Sequence, residues 1–266
     1  MECRLSAACL CNMGRVRGNN EDNFYFDGRT MPLDLFAAKD HTSLDKPLLQ
    51  DVSTSPFAAF GVFDGMGGEE NGEVASFVAA ETFKDKCRWL REYVAPPQQF
   101  LAEASAAMND AVAAEARRVP GRVGTTGVML CFSEDEVYCG NVGDSRAYRF
   151  HKSALFQLST DHNDAKFLRD HGVVGRKPRL TQYIGLDPEE MMIEPSYAKE
   201  KLQQGDRYLL CSDGLTDMLD NLTLCSILKN SATAQQGVEA LMDAALERGG
   251  RDNITIILVE VEEVRA

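Results

Sequence analysis

Phe57-Ala-Ala-Phe-Gly-Val-Phe-Asp-Gly-Met-Gly-Gly68 is an apolar run that stops on a carboxylate. Residues 57–63 are all apolar or glycine, the composition of a strand buried on both faces, and Asp64 with glycines at 65, 67 and 68 stands at its tip. A charge at the end of a buried strand, beside backbone without side chains, suits two readings: a polar or metal site, or a turn capped by an aspartate.

The flanking sequence extends the pattern in both directions. Residues 3–11 and Phe24–Phe26 read as strands, and between them Met13–Asp22 packs two arginines and two acids into a Gly- and Asn-rich turn. Asp27–Pro56 reads as a long loop insertion with one short helical turn near Leu33–Lys39. After the glycines, apolar residues at 74, 77, 78, 83, 87 and 90 fall at helical spacing, and an Ala-rich helix runs from Phe100 to Arg118. Strands follow at 125–132, 136–142, 145–150 and 154–158, whose short connections predict an antiparallel meander. Further strands are expected at Met191–Tyr197, Arg207–Cys211 and Ile254–Val261, and helices at 163–171, 222–229 and 234–248. This order has no regular strand–helix alternation, so it predicts an α+β fold: two packed antiparallel sheets with helices outside, in one domain spanning 1–266.

Composition narrows the function. The 41 acidic residues against 28 basic ones, a formal net charge of −13, oppose binding to nucleic acid or an acidic membrane surface and favour cations. The eight cysteines never form a Cys-x-x-Cys pair, and the start Met1-Glu-Cys-Arg-Leu-Ser has no signal-peptide character, so reduced thiols and a cytoplasmic location are expected. No uncharged apolar run approaches the ~20 residues of a membrane span.

Four aspartates share one context, an acid at a strand end beside Gly, Ser or Asn: Asp64, Asp144, Asp213 and Asp252, with Glu21-Asp22 as a fifth locus. Taken singly, each reads as an ordinary turn or cap; taken together, they are the hard oxygen donors that Mg²⁺ or Mn²⁺ prefers. Arg17-Gly-Asn-Asn-Glu-Asp22, Val62-Phe-Asp-Gly-Met-Gly-Gly68, Gly124-Thr-Thr126, Gly143-Asp-Ser-Arg146, Cys211-Ser-Asp-Gly-Leu215 and Gly250-Arg-Asp-Asn253 resemble, in order and across nearly the whole chain, the motifs of the metal-dependent (PPM, type 2C) protein phosphatases in their bacterial form.

The resemblance implies a four-layer α-β-β-α sandwich with a centre for two Mn²⁺ or Mg²⁺ ions and room for a third. It implies that Asp64 bridges two ions, that the Gly65 carbonyl binds one, that Asp213 and Asp252 hold the other, and that Glu21 and Asp22 act partly through water. Asp144, with Asp213, matches a third, weaker site, and Arg17 matches the residue that grips the substrate phosphate, where a planar two-pronged guanidinium serves well. The implied reaction is attack on phosphoserine or phosphothreonine by a water or hydroxide bridging the ions. The implied partners are phosphorylated proteins made by a serine/threonine kinase, with the enzyme expected as a monomer.

Two departures stand out. Met66 occupies the place where eukaryotic members carry a histidine as general acid, and His162 in Thr160-Asp-His162 reads as a loop or cap residue. The 27–56 insertion is longer than typical, and the segment between Asp161 and Leu180 is short. Two other functions remain open: a catalytically silent binding module, which loss of the aspartates would mark, and a hydrolase of small phosphate esters, although no Gly-x-x-x-x-Gly-Lys-Ser/Thr loop is present.

Overall fold

In the computed structural model, residues 2–31, 43–66, 71–92, 95–118 and 123–265 are described. The first sheet has six strands in the order β10 (Ala154–Gln157), β9 (Arg146–His151), β12 (Arg207–Cys211), β13 (Ile254–Arg265), β1 (Glu2–Asn12) and β4 (Leu48–Ser53). The second runs β11 (Ser196–Lys201), β8 (Glu136–Val142), β7 (Gly127–Ser133), β5 (Ala58–Met66), β2 (Asp22–Phe26) and β3 (Arg29–Thr30), with β6 (Gly124–Thr125) pairing the end of β5.

The sheets pack through inward residues including Leu5, Phe26, Phe60, Phe132, Tyr208 and Ile257, with Phe132 and Tyr208 edge to face at 5.4 Å. Helices α1 (Gly72–Glu92) and α2 (Pro97–Ala116) cover the outer face of the second sheet through Phe63, Phe83 and Phe100. Helices α5 (Asn221–Asn230) and α6 (Ala234–Glu247) cover the first through Leu224, Leu228 and Leu241. Apolar stripes on amphipathic helices and alternating strand faces thus close three apolar layers, giving the expected α-β-β-α sandwich. None of the eight cysteines forms a disulfide, and seven are buried, as their apolar surroundings predict.

Several sequence expectations need correction. The 27–56 segment is not all loop: it contains β3 and β4, and β4 pairs with β1 so that Leu5 faces Val52. Its inward positions Leu48, Gln50 and Val52 alternate with exposed Leu49 and Asp51, a period-2 pattern diluted by polar residues. The helical turn expected at Leu33–Lys39 lies outside the described residues. The strand expected at Met191–Tyr197 forms later, at Ser196–Lys201; Met191 and Met192 are exposed, while the strand itself carries the alternating Lys and Glu that protect a sheet edge. The meander over 124–158 divides: β7 and β8 pair in one sheet, whereas β9 and β10 belong to the other. That crossing places the Gly143-Asp144 connection at the end of the sandwich where the other acids gather.

Candidate metal centre

Strand β5 does not stop at Asp64 but continues to Met66, because Gly65 and Met66 pair with β6. Its other neighbour sets the centre: β2 pairs with β5 so that Asp22 lies opposite Asp64. Asp22 is fully buried, and its Oδ2 accepts bonds from Ser212 Oγ (2.7 Å) and Thr255 Oγ1 (2.8 Å). Its Oδ1 is buried with no protein partner among the described residues. An orphaned carboxylate oxygen of this kind needs a cation, a water or a proton.

Ser212 follows the last residue of β12 and is the N-cap residue of the short helix α4 (Asp213–Thr216), which presents Asp213 at its first turn, where the helix dipole favours a negative charge. Gly214 is required there, since a Cβ would lie 1.9 Å from the Asn253 carbonyl oxygen. Gly65 is equally constrained, because a Cβ would meet the backbone oxygens of Gly72 at 2.2 Å and Glu21 at 2.5 Å.

The turn carrying Arg17 and Glu21 is fastened by Asn253. Its Nδ2 donates to the carbonyls of Met13 (2.8 Å) and Asn19 (2.9 Å), and its Oδ1 accepts from Glu21 N–H (2.8 Å). Beside it, Asp252 Oδ2 accepts from Arg17 Nη2 at 2.8 Å. Asp144 follows Gly143, whose φ of +102° is the left-handed conformation that favours glycine, and its Oδ2 accepts from Asn163 Nδ2 at 3.2 Å.

Electrostatics bind these acids into one group. Burial, followed by the charges of Asp22, Asp213, Asp144 and Asp252, pushes the Asp64 carboxyl well above the ordinary carboxylate range. Burial raises Asp22 to about 7 against the pull of its Ser212 and Thr255 bonds, and burial with the neighbouring Glu73 charge raises Glu21 to about 7. Asp144 is pushed up to about 6 by burial and then by Asp213, and Asp213 is raised chiefly by burial. Acids crowded this way without a counter-charge hold protons.

Two protein cations answer part of the charge. Lys177 Nζ reaches Asp213 Oδ2 at 3.0 Å and Asp217 Oδ2 at 3.2 Å, and Arg17 holds Asp252. With these carboxylates turned to lysine and arginine, no three His, Cys, Asp or Glu side chains among the described residues form a closed coordination shell. The donor set is nonetheless all oxygen, half-buried, mutually repelling and supplied with one orphaned oxygen, which fits a hard divalent cation such as Mg²⁺ or Mn²⁺. Sequence reading found the acids but gave no role to Lys177, Ser212, Thr255 or Asn253. Asn253 was within reach, since it directly follows Asp252 in a Gly-rich turn. His162 takes the structural role expected of it: its Nδ1 accepts from Gly143 N–H at 3.2 Å, and burial lowers its pKa.

The family profile described as protein phosphatase 2C matches residues 31–166. The chain belongs to the protein phosphatase 2C family. Protein phosphatase PhpP of Streptococcus pneumoniae is 30% identical over 279 residues, covering 97% of this chain and 98% of the relative. The Mycobacterium tuberculosis serine/threonine protein phosphatase PstP is 29% identical over 270 residues, and there the match takes 97% of this chain but only 45% of the relative. The chain therefore spans less than half the length of that curated relative. A solved structure of the PstP catalytic domain in complex with two manganese ions superposes with a TM-score of 0.74 at 25% identity, covering 98% of this chain and 100% of the other. The sandwich is thus the protein phosphatase 2C fold.

Proposed function

We propose that this protein phosphatase 2C member is a metal-dependent serine/threonine protein phosphatase in which Asp64 and its neighbours hold Mn²⁺ or Mg²⁺. The observation that carries the reading is the Asp22–Asp64 pair, two acids opposite each other with one buried oxygen unpartnered, beside Asp213 and Asp252. Asp64, the Gly65 carbonyl, Asp213 and Asp252 would hold the two principal ions, with Glu21 and Asp22 acting partly through water and Asp144 with Asp213 serving a third. When bound, the ions supply Lewis acidity that makes hydroxide available near neutral pH and offsets charge on phosphoryl oxygens.

This chain's own residues supply the rest. Arg17, half exposed at the rim, is free to exchange its Asp252 contact for a substrate phosphate, which a guanidinium binds by two parallel hydrogen bonds. Asn253 fixes the turn that carries it. Ser212 and Thr255 hold one oxygen of Asp22 and leave the other directed at the site.

The substrates are phosphoproteins that a serine/threonine kinase produces, and the enzyme acts as a monomer in the cytoplasm, without nucleic acid. Supporting this, the net charge is −13 and no helix among the described residues is long and apolar enough to cross a membrane. The test is hydrolysis of an aryl phosphate and a phosphothreonine peptide with and without Mn²⁺, with Asp64→Ala alongside. Turnover is expected only with the metal and only in the wild type. Full turnover in chelator removes the metal-centred reading, and metal-dependent turnover of the aryl ester without the peptide favours a small-molecule hydrolase.

A further inference from the structure

A cavity of about 230 Å³ opens beside Asp144 and Asp213, walled on the far side by Lys166 and Arg169 of the short helix α3 (Ala165–Asp170) and by Lys177. Its acids are largely spoken for. Arg146 clamps Asp161 through Nε and Nη2 (2.6–3.0 Å), and Lys177 bonds to Asp213 and Asp217. Lys166 and Arg169 are different: three residues apart on one helical face, both exposed, they make no side-chain hydrogen bond or ion pair among the described residues. The surrounding segment 163–180 holds five Lys or Arg against two Asp, in a chain whose overall balance is 28 against 41. A basic wall on an acidic protein, set next to the candidate reaction centre, attracts anions.

Resting on the phosphatase reading, we propose that this cavity is a specificity subsite for an anionic side chain, carboxylate or phosphate, located within about two positions of the target phosphoserine or phosphothreonine. Side chains two apart on an extended peptide project to the same side roughly 7 Å apart, and Lys166 and Arg169 line the same cavity as Asp144 and Asp213. A lysine and an arginine then supply a point charge and a planar fork to the same anion, the combination that suits either group. The volume holds one such head group, not a folded surface.

The experiment uses the Mn²⁺-loaded full chain and three phosphothreonine peptides that differ only at the flanking positions: alanine, aspartate or a second phosphorylated residue. An aryl phosphate is run in parallel. The wild type is expected to favour both anionic peptides over the alanine peptide by about fivefold or more in kcat/KM, through KM, with the preference shrinking in high salt. Lys166→Glu with Arg169→Glu is expected to abolish or invert that preference while leaving aryl phosphate turnover unchanged. A charge-matched control, Lys152→Glu with Lys229→Glu, alters exposed lysines outside the cavity lining and keeps it. A larger gain for the phosphorylated neighbour assigns the subsite to phosphate, and an equal gain to anions in general. The inference is overturned if the wild type shows no preference, if the preference survives the double reversal, or if the control loses it equally. Absence of aryl phosphate turnover by the wild type overturns the phosphatase reading itself.

Discussion

Asp22 and Asp64 lie directly opposite each other on the antiparallel strands β2 and β5, two carboxylates in one cross-strand pair. Like charges in that arrangement destabilise a sheet, and burial compounds the cost. The cost of holding the pair is measurable.

Unfolded carboxyl groups titrate near ~4, whereas Glu21 and Asp22 are raised to about 7 in the folded chain and Asp144 to about 6. The folded state therefore binds these protons more tightly than the unfolded state, so this contribution to stability is fully present below ~4 and is lost as pH rises through about 7. In chelator, the melting temperature is expected to fall between about pH 6 and pH 8, and Asp64→Asn is expected to raise it at pH 8 while lowering metal-dependent turnover on the order of 10²-fold or more. Added Mn²⁺ should stabilise the wild type more at pH 8 than at pH 6. Thermal melts at both pH values check this, and a flat profile contradicts it.

Arg17 is half exposed and donates to Asp252, 235 positions away in the chain. Arg17→Ala is expected to raise KM for a phosphothreonine peptide about tenfold or more with a smaller change in kcat, the signature of a clamp holding ground and transition states alike. Arg17→Lys should restore little, since an ammonium lacks the planar fork. Steady-state kinetics on the three proteins decide it.

Asn253 spends its whole side chain on the turn, with two donated bonds and one accepted. Asn253→Ala leaves two partly buried carbonyls and an N–H unpaired and is expected to cost about 1–2 kcal/mol in urea unfolding. Because the freed turn carries Arg17, KM for the aryl phosphate should rise as well. Loss of stability with an unchanged KM would make Asn253 a fold residue alone.

Met66 pairs with Gly124 at the end of β5, and a thioether has no proton to give. An aryl phosphate departs as a weakly basic phenolate, whereas serine and threonine alkoxides need protonation. Met66→His is expected to raise turnover of the phosphothreonine peptide by roughly tenfold with little effect on the aryl ester, while His162→Ala, which removes only an acceptor for Gly143 N–H, changes neither rate. Equal responses of both substrates to Met66→His would make Met66 a packing residue.

The layers of the fold were legible in the sequence because they follow from local rules, whereas the clustering of the acids was implied only by the resemblance of six ordered motifs to a known family. Buried strands such as 57–63 announce themselves by unbroken apolar composition, and Asp-Gly at a strand end announces a turn. What stayed hidden depends on distant partners. β4 has too many polar residues to show alternation until β1 supplies its apolar face, and β8 to β9 looks like one meander although the chain changes sheets there. Nothing local to His151 signals that it bonds to the buried Asp206, an acid it meets only through the pairing of β9 with β12. Trp89, for all its apolar surface, is 44% exposed, since the buried face of α1 runs through Phe83, Cys87 and Leu90. Lys177 was unreadable for the same reason: its partners Asp213 and Asp217 lie on a different element.

Strand β13 is the last element of the chain, yet it lies inside its sheet, between β12 and β1, and the turn before it brings Asp252 and Asn253 to the site. During synthesis, therefore, β1 emerges well before β13 and cannot pair with it until more than two hundred further residues have been made. Such long-range pairing slows folding, and it also means that Asp22 acquires Thr255, and Arg17 acquires Asp252, only once β13 and the turn before it have been made. A ribosome-bound chain that stops short of β13 would carry most of the acids but not their final arrangement. The geometry of the acid cluster is thereby tied to the synthesis of one late strand.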